Sequence, residues 1–205
     1  DAFECLVRTI LSQNTSDVAS QPAHDALMER YGGEDDLAER LADADQQQLA
    51  ETIESAGLYN QKSATIIRIA GRIREAYGSA AAFDAFVRHR EPTVVRDTLL
   101  EMNGVGPKTA DCVLLFAGGQ AGVFPVDTHV HRIARRLGIA PPDADHEEVR
   151  EALEAGIPPE KCGFGHTAMI QFGREYCTAR HPVCLDDPEK CPLFDQCDRV
   201  GVEAD

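Results

Sequence analysis

Leu100-Glu101-Met102-Asn103-Gly104-Val105-Gly106-Pro107-Lys108-Thr109-Ala110 decides how this chain is read. It joins two runs of helical periodicity through a very tight Gly-Val-Gly turn. Glycine there opens dihedrals closed to other residues and leaves backbone amides bare. Pro107 suits the first turn of the following helix, where its missing N–H costs nothing. Open amides ahead of a helix start make a seat for phosphate, one that grips a nucleic-acid backbone without reading its bases. Lys108 falls in that first turn, where the positive end of the helix dipole disfavours the protonated amine. Two readings follow: an exposed lysine touching phosphate, or a nucleophilic amine.

Outward from the hairpin almost everything is helical. Apolar residues recur at three- and four-residue spacing in Phe3, Leu6, Val7, Ile10 and Leu11, and again in Ile66, Ile67, Ile69, Ile73 and Tyr77. Helices are predicted over 2–12, 17–31, 46–55, 60–77, 81–89, 94–102, 107–117, 128–137, 146–154 and 159–176. Gly-Gly and Pro-Pro pairs mark the breaks. The fold is all-α. That many short helices cannot form one simple bundle, so two helical lobes are expected, 1–121 and 122–205, with a hinge near 119–125.

Nineteen residues beyond Lys108 stands Val126-Asp127-Thr128-His129-Val130. Asp127 is placed to cap the next helix, and a cap also holds a carboxylate rigidly for chemistry. Further on, Cys177, Cys184, Cys191 and Cys197 crowd into 21 residues at gaps of six, six and five, whereas Cys5, Cys112 and Cys162 sit in apolar helical settings and read as small core hydrophobes. Four thiols in one loop suggest zinc or an iron–sulfur cluster. No Cys-x2–4-Cys knuckle is present, and wide gaps favour a [4Fe–4S] cubane held at its corners. Arg174, Arg180 and Arg199 would rim that loop.

The chain has 205 residues with 43% apolar residues, which excludes a disordered tail. Lys and Arg number 20 against 35 acids, a net charge of −15, and only Lys62, Lys108, Lys161 and Lys190 are lysines. That balance looks like proteins of salt-loving microbes and opposes nucleic-acid binding at first sight. The charge is segregated, however. Residues 34–54 carry eight acids against one Arg, while 102–139 carry Lys108, Arg132, Arg135 and Arg136 against Asp111 and Asp127. In molar salt the screening length shrinks to about 3 Å, and remote acids hardly repel phosphate. No run of about 18 apolar residues occurs, so no membrane helix is expected. A cytoplasmic, nucleoid-associated monomer is expected. The chain opens at Asp1 rather than Met, and an N-terminal segment ahead of it is expected.

Together the Leu-x3-Gly-Val-Gly-x-Lys-Thr-Ala hairpin, Val-Asp-Thr-His-Val and the terminal cysteines resemble the helix-hairpin-helix DNA glycosylases of the endonuclease III family. Ser12-Gln13-Asn14-Thr15-Ser16-Asp17 and Gly57-Leu58-Tyr59-Asn60-Gln61-Lys62 add to the resemblance. It implies a six-helix barrel lobe and a second lobe carrying a [4Fe–4S] loop, whose first helix this chain lacks, with double-stranded DNA in the cleft between them. It implies Lys108 and Asp127 as catalytic residues and Cys177, Cys184, Cys191 and Cys197 as metal ligands. Gly104, Gly106 and Thr109 would hold DNA backbone, with a monovalent cation on the hairpin carbonyls. Leu58 becomes a wedge, and Asn14 fills the space left by a flipped nucleotide. The implied activity is base-excision repair by a bifunctional glycosylase and abasic-site lyase acting on oxidised pyrimidines. A monofunctional mismatch or adenine glycosylase and a non-catalytic DNA-binding module are the alternatives. The chain departs from the family between its second and third cysteines, where Leu185–Lys190 lengthens a gap that is usually two residues.

Overall fold

A computed structural model describes residues 1–33 and 36–202 of the chain. Glu34 and Asp35, counted in the acidic run above, lie outside the described residues. All the regular structure among the described residues is helical, with no strand among them. No helix among them is long and apolar enough to cross a membrane. Two compact units divide the chain, Asp1–Gln120 and Ala121–Asp205.

The first unit is built around α1, Ala2–Ser12. Its apolar spacing leaves Ala2, Phe3, Leu6, Val7, Ile10 and Leu11 at 1% exposure or less. Such a stripe covers about half of the helix circumference, and Arg8 on the opposite side is exposed, so α1 turns one broad apolar face to the core. Asp1 caps it by accepting from Glu4 N at 2.8 Å. Around it pack α2 (Asp17–Tyr31), α6 (Ala80–His89) and α8 (Pro107–Cys112). The long α5 (Tyr59–Tyr77) instead carries α3 (Leu37–Ala42) and α4 (Gln46–Thr52). Helix α3 is absent from the sequence expectation, because its acids disguise a short buried stripe of Leu37, Ala38 and Leu41. Its signal was Asp36 three residues before Glu39, and Glu39 N donates to Asp36 Oδ1 at 3.1 Å.

The hairpin joins α7 (Pro92–Leu100) to α8, which continues as a π-helical turn over Val113–Ala117 rather than as one α-helix. Met102 and Val105 are buried beneath the turn. Its two glycines differ. Gly104 has φ +100°, and a Cβ there would stand 2.5 Å from Thr65 Cγ2. Gly106 has φ −97° and ψ 175°, ordinary extended backbone, and a Cβ there would meet nothing within 4 Å. Gly104→Ala is therefore expected to destabilise the first unit by about 2 kcal/mol, and Gly106→Ala to leave stability unchanged while weakening whatever approaches the turn from outside. Urea unfolding of the two variants, with DNA affinity measured alongside, checks both.

The second unit packs α9 (Thr128–Arg136) on α10 (His146–Gly156) and α11 (Cys162–Glu175). Its core gathers Phe124, Val130, Ala134, Val149, Leu153 and Cys162. Gly173 lets α11 close on α9, since a Cβ there would meet His129 at 2.7 Å. Beyond α11 the chain runs as three short 3₁₀ turns, Val183–Leu185, Pro188–Lys190 and Phe194–Gln196, with Cys177 ahead of the first, Cys184 within it, Cys191 between the second and third, and Cys197 just after the last.

Candidate active site and cysteine loop

Lys108 lies in the first turn of α8 and is half-buried. One turn on, its ammonium bears on the Cys112 thiol. Burial pushes that thiol up to about 11 although the Lys108 charge pulls the other way. Cys112 is 4% exposed as expected of a core residue, but Cys5 is only half-buried, its Sγ 3.9 Å from the Cys112 carbonyl. The sulfur lining beside Lys108 is a feature the sequence alone did not disclose.

The hairpin is held from three sides. Arg72 donates to Glu101 O and Oε2, both at 2.8 Å, and Arg68 to Asn103 O at 3.3 Å. Gln13 Nε2 bridges Gly104 O at 3.2 Å and Thr109 Oγ1 at 3.1 Å. Gln13 thus fastens the turn after α1 to the hairpin, a role invisible in a linear reading that singled out its neighbour. That neighbour, Asn14, is exposed with φ +53°, and Leu58 has φ +47° and is 53% exposed. Both hold a left-handed conformation unusual for residues other than glycine.

In the second unit Asp127 is the N-cap of α9, accepting from Val130 N at 2.8 Å. His129 pairs with Arg132 Nη2 at 3.1 Å, and His131 stacks on His146 at 4.1 Å between ring centroids. Burial, and then the facing His131, hold the His146 imidazole below its ordinary range. His166 is buried, its Nδ1 2.8 Å from Pro125 O, as a packed structural histidine should be.

The four terminal cysteines line one hollow, walled also by Leu137, Phe172, Pro182, Leu193 and Val202. Two arginines a turn apart on α9 clasp the loop that leads into it. Arg132 Nε and Nη2 donate to Cys177 O at 3.0 and 2.8 Å. Arg136, 8% exposed, donates to Thr178 O at 2.7 Å, Ala179 O at 2.9 Å and Cys177 Sγ at 3.3 Å. Its own carbonyl accepts from Cys197 Sγ at 3.2 Å. Burial, and then the charges of Cys191 and Cys177, push the Cys184 thiol up. The lengthened gap closes on itself: Lys190 pairs with Asp187 at 3.2 Å and His181 with Asp186 at 2.9 Å, leaving Cys184 and Cys191 on the same hollow. Arg199 is exposed and lies over the Phe194 ring, 4.5 Å from its centroid, with Nη1 donating to Phe194 O at 3.0 Å.

Residues 7–159 match the HhH-GPD superfamily of base excision DNA repair proteins; the cysteine loop lies beyond that match. The chain is 34% identical to endonuclease III of Thermotoga maritima over 97% of this chain and 83% of that protein. It is 34% identical to endonuclease III of Bacillus subtilis over 99% of this chain and 83% of the relative. Among solved structures, a trapped endonuclease III–DNA covalent intermediate in its estranged-adenine complex superposes with a TM-score of 0.79 at 31% identity, covering 97% of this chain and 84% of that one. A non-covalent endonuclease III–DNA complex gives the same TM-score of 0.79 at 30% identity, with 97% and 84% covered. With a family match across most of its length and relatives above 30% identity over nearly all of it, the chain belongs to the endonuclease III family of HhH-GPD base excision DNA repair proteins.

Proposed function

We propose that this DNA glycosylase and abasic-site lyase removes oxidised pyrimidines from double-stranded DNA and cuts the strand 3′ to the site, with Lys108 as nucleophile and Asp127 as its charged partner. The single observation that carries the reading is Lys108 itself: one of four lysines, set half-buried in the first turn after the Gly104–Gly106 hairpin. A damaged base must leave the stack before chemistry, at a cost of a few kcal/mol. Lys108 Nζ then bonds to the sugar C1′ as the C1′–N bond breaks and the base departs with the electron pair and a proton. The Asp127 carboxylate stabilises positive charge on the sugar, takes the proton the amine sheds and passes it to the departing base. The nitrogen lone pair then opens the sugar ring, O4′ leaving with the C1′–O4′ electron pair and taking a proton from solvent, which gives an iminium ion. Loss of a C2′ proton then expels the 3′ phosphate by β-elimination, and water releases the lysine.

Gly104, Gly106 and Thr109 are assigned to the DNA backbone, Leu58 to the wedge and Asn14 to the vacated space. The open flank of Gly106 favours close approach by a phosphate. A monovalent cation is assigned to the hairpin carbonyls; of these Glu101 O, Asn103 O and Gly104 O each accept from Arg72, Arg68 or Gln13, and each keeps a second lone pair. Borohydride trapping on duplex DNA with one abasic site tests the whole reading. A covalent adduct supports it; binding with no adduct returns the chain to a non-catalytic module, and base release with no adduct to a monofunctional glycosylase.

Cys177, Cys184, Cys191 and Cys197 are assigned as ligands of a [4Fe–4S] cluster. The donor set fits: four sulfurs around a single hollow with apolar walls suit a large sulfur-ligated group gripped at its corners. Bound there, the group would staple the 3₁₀ turns to α9 and supply no chemistry to the excision. Iron and acid-labile sulfide in cubane proportion are expected in the purified protein, and Cys191→Ser is expected to lose both together with the visible absorption. Zinc in their place would overturn the assignment.

A further inference from the structure

Lys62 is 4% exposed, yet its amine pairs with no carboxylate among the described residues. Its Nζ instead donates to three uncharged oxygens: Leu11 O at 2.7 Å, Thr15 Oγ1 at 2.7 Å and Ala56 O at 2.9 Å. An ammonium has three N–H donors, and here each finds one acceptor. Burial lowers the Lys62 pKa, and the matched trio of acceptors works against that by favouring the charged form. An apolar side chain would fill this space with less desolvation. What it could not do is draw three separate stretches of chain to one atom.

Those stretches are the end of α1, the turn after it and the 3₁₀ turn Glu54–Ala56 ahead of α5. Leu11 O belongs to the last turn of α1, where carbonyls lack helical partners. Thr15 follows Asn14 directly, and its hydroxyl also donates to Ala56 O. Ala56 stands two residues before Leu58. Among the described residues the first unit has two non-glycine positions with positive φ, Asn14 and Leu58, and Lys62 fastens the chain beside both. A strained backbone persists only where its surroundings over-determine it. The buried ammonium supplies that restraint to two exposed side chains at once.

We propose that Lys62 is a positioning residue for opening the duplex, holding the turns that carry Asn14 and Leu58 so that both side chains enter the base stack together. This rests on the glycosylase–lyase reading above, and its test separates the two. Single-turnover rates and borohydride trapping are measured for the full chain, Lys62→Met and Thr15→Val. The substrates are an abasic site in paired duplex, the same site in single-stranded DNA, and the same site within a bubble of unpaired bases. Lys62→Met is expected to slow the duplex reaction about tenfold or more, and the single-stranded and bubble reactions less than about threefold. Thr15→Val removes one tie and is expected to shift the same ratio by a smaller factor; it decides the matter should Lys62→Met fail to fold. Equal slowing on all three substrates reduces Lys62 to a fold-stabilising residue and overturns the proposal, as does an unchanged duplex rate. An unaltered chain that forms no adduct on any substrate overturns the lyase reading instead.

Discussion

Lys108→Ala is expected to abolish covalent trapping on abasic DNA, a fall of at least about 10³-fold in the rate of adduct formation, since removal of a nucleophile leaves only binding and electrostatic contributions. The fold should hardly notice. Lys108 is partly exposed at the start of α8, whose first position is already stabilised by Pro107, and alanine is an excellent helix former. The hairpin's supports, Arg72, Arg68 and Gln13, all act on other residues. Duplex binding should survive with a modest loss, that of one cationic side chain. Cys112 gives a second readout. The Lys108 ammonium now opposes the effect of burial on that thiol, so its removal should move the thiol pKa still higher, seen as slower alkylation at alkaline pH. Undiminished adduct in Lys108→Ala would show that another amine performs the chemistry.

Asp127→Asn carries the second large effect, because it separates the two roles of one carboxylate. Asparagine caps helices as well as aspartate does, so the bond from Val130 N survives and thermal stability should stay within about 0.5 kcal/mol. The charge is gone. Base release should fall about 10²- to 10⁴-fold, the usual range for loss of a positioned acid–base group. Trapping on a preformed abasic site, which omits glycosidic cleavage, should suffer less. Asp127→Ala should add a destabilisation of about 1 kcal/mol by removing the cap as well. Equal excision rates for the parent and Asp127→Asn would leave Asp127 a cap and nothing more.

The features legible in the sequence are those whose cause is local. The hairpin, the Asp127 cap and the central stripe of α1 each follow from a few adjacent residues, and the structure bears them out. Helix α3 was hidden because acidic solvent-facing residues dilute a three-residue apolar stripe. The π-helical turn after α8 has no periodic signature that distinguishes it from α-helix over so few residues. Gly106 looked like a conformational glycine and has an ordinary φ; what distinguishes it is the space beside it, which only coordinates reveal. Arg132 and Arg136 count in the sequence only as positive charge within 102–139, though their four-residue spacing places them on one helix face. Their partners are carbonyls some 40 positions later, and backbone acceptors carry no sequence signal. Lys62 stayed opaque for the same reason: two of its three partners are main-chain oxygens.

Leu58 sets stability and usefulness against each other at one backbone position. Glycine there would relax the left-handed dihedrals and remove an apolar side chain from water, so heat resistance alone favours the exchange. It would also strip away the tip that the proposed mechanism thrusts between bases. Selection for robustness would then yield a sturdier protein that leaves lesions in place, and libraries ranked by melting temperature should be expected to drift that way.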